Sequence, residues 1–190
     1  MSIKRQVLKE QTRKKILSSA SKLFLEKDFD LITTEAIAEH AGVSKGIIFH
    51  HFKTKEHLGI EVVEELLKQQ LHVISPDPQR PPMEKLKFFI EGGLRLAAKT
   101  PGFPKLLIQI IGRVGEENAT RIFNEGCIPY YQQCTDLFIE LGYPNPFLKA
   151  QILLSIFDGL GIYFYMEGKK QSEKDITALI NEILSLFTLN

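Results

Sequence analysis

Apolar residues recur along the chain at spacings of three and four, and strand-like alternation bounded by turns is nearly absent. The pattern predicts an all-α protein of about nine helices. The first runs from Gln6 to Lys27 with Ile16, Leu17, Ala20, Leu23 and Phe24 on one stripe and basic residues opposite. After the turn KDFDLI, Thr33 or Thr34 is placed to cap a short helix, TEAIAEHA, and Gly42 follows where a left-handed C-terminal residue belongs. Ser44 then caps KGIIFHHF. A fourth helix carries Leu58, Val62, Val63, Leu66, Leu67 and Leu71 down to Val73, long enough to bridge two domains.

The run SPDPQRPP, Ser75 to Pro82, cannot be helical across its prolines and marks a loop. Beyond it the pattern predicts a fifth helix over 84–99, a sixth over 103–113 and a seventh over 116–141, bent at Pro129. The eighth, FLKAQILLSIFDGLGIYFYMEG, is apolar on nearly every side, which demands burial from more than one direction. The ninth, 173–189, is amphipathic. The expected division is a small domain over 1–53 and a larger one over 54–190, with helix 54–74 bridging them.

The chain has 190 residues, 44% hydrophobic and 25% charged, a composition that can fill a real core. Its net charge of +1 conceals an asymmetry: residues 1–60 hold 11 Lys and Arg against 7 Asp and Glu, whereas the remainder carries −3. That suits either a polyanion-binding head on a neutral body or an ordinary solvated surface. No apolar run follows the N-terminal charges and no stretch offers 18 uninterrupted apolar residues, so a cytoplasmic protein with no membrane partner is expected. Cys127 and Cys134 lack CxxC partners and read as reduced packing residues.

The stretch GVSKGIIFHHFKTKEHL admits three readings: a buried strand, a histidine metal site or the reading head of a DNA-binding helix. A helix-turn-helix needs a small residue where its helices touch, a residue free to turn left-handed, and aliphatic anchors on either side. Ala38, Gly42, Val43 and Ile48 meet that demand at offsets of four, eight, nine and fourteen from Thr34. The histidines lack the i, i+4 spacing of a helical metal pair, and no cysteine is nearby, so no metal and no cofactor are expected. Glu61, Glu64 and Glu65 read as solvent-facing charge. With no Gly-rich phosphate loop, GxSxG elbow or triad order, the chain is not expected to be an enzyme.

From Thr12 to Leu58 the sequence, with ILSSASKLFLEKDFD followed by TTEAIAEHAGVSKGIIFHHFKTKEHL, resembles the TetR family of transcriptional regulators. The resemblance covers a quarter of the chain. It implies a mostly nine-helix homodimer with a DNA-binding head and a C-terminal ligand-binding and dimerisation body. It assigns Thr33, Thr34, Ser44, Lys45, Gly46, Ile47, His50, His51, Lys53 and Lys55 to contacts with a double-stranded DNA operator. Phe49 lacks the hydroxyl of the usual tyrosine and is left between DNA contact and core.

The aromatic-rich body suits a site for a small apolar or amphipathic effector, or simply a filled core. Candidate lining residues are Phe88, Phe89, Gly92, Phe103, Arg113, Phe123, Tyr130, Tyr131, Phe157 and Phe164, with Arg113 placed either at the polar end of the site or at a surface cap. Ser155, Gly159, Ile162, Ile176, Ile180 and Ile183 are the candidate dimer contacts on the last two helices. The resulting expectation is a homodimeric repressor released from a near-palindromic operator by its effector. A constitutive DNA binder with a filled body is the alternative.

Overall fold

The computed structural model describes residues 3–187, and these contain helices and no strand. The elements are α1 (Ile3–Glu26), a 3₁₀ turn (Phe29–Leu31), α2 (Thr34–Ala41), α3 (Lys45–His51), α4 (Lys55–Ile74), α5 (Pro82–Lys99) and α6 (Phe103–Ile111). Helix α7 comprises Gly115–Ile122, a π-helical turn at Phe123–Cys127, and Ile128–Glu140; α8 (Pro146–Glu167) and α9 (Glu173–Leu186) complete the described residues. The predicted end of the last helix at Leu189 lies outside them.

The break in α7 falls next to Pro129. Proline has no N–H for the carbonyl four residues earlier and its ring crowds that group, so the helix widens into a π turn just before it.

Contacts divide the chain into two compact units. The first runs to Leu66 and also takes in Lys105–Ile122; the second contains Leu67–Pro104 and the chain from Phe123 onward. This differs from a division at residue 53, and side-chain bonds explain why. Gln109 Oε1 accepts the Phe29 N–H at 3.1 Å, the Arg113 guanidinium grips the Asp30 carboxylate, and Arg121 pairs with Glu64 of α4.

In the first unit α1 supplies Ile16, Ala20 and Phe24, spaced four apart and fully buried, with Leu17 and Leu23 half-buried beside them. Thr33 is the residue that caps α2: the Ala36 N–H donates to its Oγ1 at 3.1 Å. Gly42 closes α2 at φ 60° and ψ 42°, a conformation costly for residues bearing a β-carbon, and the Val43 N–H returns to the Ala38 carbonyl at 3.0 Å. Ile37, Ala38, Ile48 and Phe52 are buried, which locks α3 at a fixed angle across α2.

The second unit is built around Leu86, Phe89, Ile90 and Leu94 of α5, Cys134 and Phe138 of α7, and the inner face of α8. Ile176, Ile180 and Ile183 of α9 are 3–4% exposed within this core. They therefore cannot be surface contacts between protomers, as the sequence suggested. The apolar stripe of α9 is consumed inside its own chain.

Helix α8 is apolar all round for two separate reasons. Ala150, Leu153, Leu154, Phe157, Gly161 and Phe164 face the core. Leu148, Ile152, Ser155, Gly159, Ile162 and Met166, spaced alternately four and three apart, form an exposed seam. By length and mean hydropathy of 1.4 this helix passes the test for a membrane span, as the core helix of a water-soluble protein also can.

Candidate nucleic-acid interface and body cavity

Helix α3 turns only one side inward. Ile48 is buried, whereas Ser44, Lys45, Gly46, Ile47, Phe49 and His50 are exposed, Ile47 by 38% and Phe49 by 44%. The alternative that Phe49 packs in the core is therefore excluded. Its ring lies on the surface with the Lys45 ammonium 5.8 Å from its centre.

Lys45 also pairs with Glu35 of α2, and the hydrogen bond from Lys45 is the main cause holding the Glu35 carboxyl below its ordinary range. The Thr34 hydroxyl donates to Glu35 at 3.1 Å. Ser44 occupies the N-cap position of α3 without making a side-chain cap bond.

His51 is half-buried at an edge-on distance of 5.5 Å from His50. Burial, then the neighbouring His50, lowers its pKa, so at neutral pH it offers an N–H rather than a full positive charge. Lys53 is exposed.

Lys55 does not share this surface. Its ammonium donates to the Phe29 and Ile32 carbonyl oxygens at 2.7 and 2.8 Å, and burial lowers its pKa. The sequence counted it as a phosphate contact; the structure uses it to tie the start of α4 to the 3₁₀ turn.

The second unit contains a cavity with about 40 Å³ open to the centres of water molecules, enough for a few waters. Gln70, Gly93, Thr100, Phe103, Tyr130, Phe157 and Asp158 are among its lining residues. Of the predicted lining residues it brings together Phe103, Tyr130 and Phe157. Phe123 and Tyr131 line a separate open groove of about 450 Å³, with Phe147 and Gln151.

The other candidates line neither space. Phe89 and Phe164 are buried core residues, and Phe88 lies under the Arg80 guanidinium, 5.1 Å from its ring centre. Gly92 faces Ile74; Gly93 is the glycine that meets the Phe157 ring. Arg113 belongs to the first unit, where its Nε donates to Asp30 Oδ1 at 3.0 Å, so it supplies no polar end to the cavity.

Asp158 also lines the cavity and was not among the predicted lining residues. It stands out in the sequence only as an acid within an otherwise apolar helix. Among the described residues no group of three or more His, Cys, Asp or Glu side chains is placed to hold a metal ion.

Residues 16–62 match the model of the family described as bacterial regulatory proteins, tetR family. This segment is a DNA-binding region of the TetR type. The chain is 45% identical over 58 residues to YvkB, an uncharacterised HTH-type transcriptional regulator of Bacillus subtilis, covering 30% of this chain and 29% of that protein. It is 34% identical over 64 residues to the HTH-type transcriptional repressor AcnR of Corynebacterium glutamicum, covering 34% of each. The matched segment thus spans only about a third of these relatives.

A solved structure of the transcriptional regulator FadR from Bacillus subtilis, in complex with stearoyl-CoA, superposes with a TM-score of 0.73 at 23% identity, over 90% of this chain and 95% of that one. That likeness extends the TetR-type fold beyond the matched segment, through the body. These relatives are named as regulators of transcription and not as enzymes.

Proposed function

We propose that the chain is a homodimeric, ligand-responsive transcriptional repressor of the cytoplasm. The observation that carries this reading is the outward face of α3, on which Ile47, Phe49 and His50 stand exposed while Ile48 and Phe52 fix the helix from behind. An α-helix displayed in this way fits a major groove.

Thr33, Thr34, Ser44, Gly46, His51 and Lys53 meet sugar and phosphate, which positions the head without reading sequence. Ile47 and Phe49 offer apolar surface to thymine methyl groups, and His50 a polar group to a base edge or a phosphate. Lys45 exchanges Glu35 for a phosphate on binding.

Two such heads in a dimer read half-sites of a near-palindrome whose centres lie about 34–36 Å apart. An effector in the body releases the DNA only through its differential affinity for two head spacings. Helix α4, whose residues belong partly to each compact unit, is the element through which that difference passes.

The test is selection of genomic fragments on the purified protein, followed by fluorescence anisotropy on the enriched site. Specific dissociation constants of about 10⁻⁸ M or tighter at physiological salt are expected. Lys45→Ala and His50→Ala should each weaken them. Failure to enrich any site, or unchanged affinity in both variants, would sink the reading.

A further inference from the structure

Helix α1 starts well before the core of its unit does. Among the described residues the first buried one is Ile16, and every residue from 5 to 11 is exposed, Val7 and Leu8 included. About two turns of helix that bury so little gain almost nothing from packing and contribute correspondingly little to folding. Residues 5–15 hold five basic side chains against one acid, Glu10. A basic helical extension of this kind suits a polyanion better than a protein core.

Arg5, Lys9 and Arg13 recur every four residues and therefore share one face. Arg13 fixes where that face lies. Its guanidinium pairs with Glu61 of α4 and stands 5.4 Å from the centre of the Phe52 ring, at the residue that closes α3. The positive charges of His50, Lys9 and Arg13 all reach His51, opposed by that of Glu10. The basic face of α1 is thus continuous with the end of α3, beside His51 and Lys53.

Arg13 is committed to the protein, whereas Arg5 and Lys9 form no hydrogen bond or ion pair among the described residues. At a rise of 1.5 Å per residue, Lys9 stands about 6 Å and Arg5 about 12 Å along the helix from Arg13. The longer reach equals about three base pairs at 3.4 Å each.

We propose that Arg5 and Lys9 bind the phosphates of the operator DNA flanking each half-site, so that the first turns of α1 carry the interface outward beyond the recognition helix. The assignment rests on the DNA-binding reading and adds a second contact surface to it. Charge complementarity selects the partner, and Glu10 is set off this face by its position one residue after Lys9. Contacts of this kind supply affinity and orientation but read no base sequence.

The test uses the full chain and duplexes containing the site selected from genomic fragments. One duplex ends at the edge of the palindrome; two others continue for four base pairs on each side, with unrelated flanking sequences. Fluorescence anisotropy across a salt series should show the unmodified protein binding both extended duplexes at least about tenfold more tightly than the short one. Arg5→Ala combined with Lys9→Ala should bind all three duplexes alike. On the extended ones its slope of log K against log salt concentration should fall by about 3.6, which is 0.9 for each of two charges in each of two heads. Arg5→Lys with Lys9→Arg should keep the preference. Lys22 is exposed nine residues beyond Arg13, on the opposite side of α1, so Lys22→Ala should keep it too.

Equal binding of short and extended duplexes by the unmodified protein, or a preference that survives in the double alanine variant, would overturn the proposal. So would a preference that Lys22→Ala removes equally well, or one that depends on the flanking sequence. Alanine at these exposed positions favours helix, and far-UV circular dichroism checks that the variants are folded. Failure of the regulatory reading looks different: the unmodified protein then binds none of the duplexes specifically.

Discussion

The ammonium of Lys55 lies 4.3 Å from the centre of the Phe29 ring and donates to the Phe29 carbonyl oxygen at 2.7 Å. A second bond, to Ile32, makes this lysine a strut between the start of α4 and the turn that follows α1. Hydrogen bonds from a charged donor contribute about 1.5–3 kcal/mol each, and truncation leaves carbonyls short of partners, so Lys55→Met should lower the unfolding free energy by about 2 kcal/mol. Urea denaturation measures this. The salt dependence of operator binding should stay the same, because the lost charge faces the protein.

Lys53 supplies the contrasting case. It is exposed beyond the end of α3, and its substitution removes no structural bond described for the head. Each phosphate neutralised adds about 0.9 to the slope of log K against log salt concentration, so Lys53→Ala should reduce the slope by about 2 for a dimer carrying two heads. Thermal stability should change little. A slope equal to that of the unmodified protein would remove Lys53 from the interface.

The contrast between Lys53 and Lys55 shows what can be read from sequence alone. The helix-turn-helix was legible because its demands are local: a small residue, a left-handed glycine and aliphatic anchors within fifteen positions. Which way Lys55 points was not legible, since its partners are carbonyls in a turn 23 and 26 residues earlier. Which of its two roles Arg113 takes was not legible for the same reason, its partner Asp30 being 83 positions away; it lies at the surface, where it also donates to the Gln109 carbonyl near the end of α6.

Helix α9 was legible as an amphipathic helix, but periodicity says only that a face is covered and not by what. Ile176, Ile180 and Ile183 turned out to be covered by their own chain. The cavity was the least legible feature, because adjacent aromatics such as Tyr130 and Tyr131 divide between two different spaces.

The exposed seam of α8 leads to a prediction about assembly. A β-carbon on Gly159 would have no atom within 4 Å in the single chain, so a long side chain there is harmless to the protomer. In a dimer that closes over Leu148, Ile152, Ser155, Gly159, Ile162 and Met166, the same side chain would hold the two helices apart and bury a charge. Gly159→Arg should therefore yield a folded monomer by size-exclusion chromatography with light scattering at micromolar concentration. It should also weaken binding to a two-half-site operator far more than to a single half-site. A dimeric Gly159→Arg protein would exclude this seam as the interface.

Gly92 and Gly93 are adjacent in α5 yet should respond oppositely to the same substitution. A β-carbon at residue 93 would lie 2.7 Å from Phe157 Cζ and nearer still to Cε2, closer than real contacts allow. The ring is braced against Phe89, so its retreat would disturb the aromatic cluster. Overpacking of this kind costs about 1–3 kcal/mol, which should more than cancel the gain of about 1 kcal/mol from replacing a helical glycine with alanine. At residue 92 the nearest atom is Ile74 Cγ2 at 3.3 Å, a side-chain methyl that can shift by a few tenths of an ångström. Gly92→Ala should therefore be neutral or stabilising, and Gly93→Ala destabilising, by thermal and urea melts run together. Combining Gly93→Ala with Phe157→Leu separates the two causes of any loss. If the ring is the obstacle, the double variant should lose less than the two single effects added, because the smaller side chain vacates the space that the new methyl group requires.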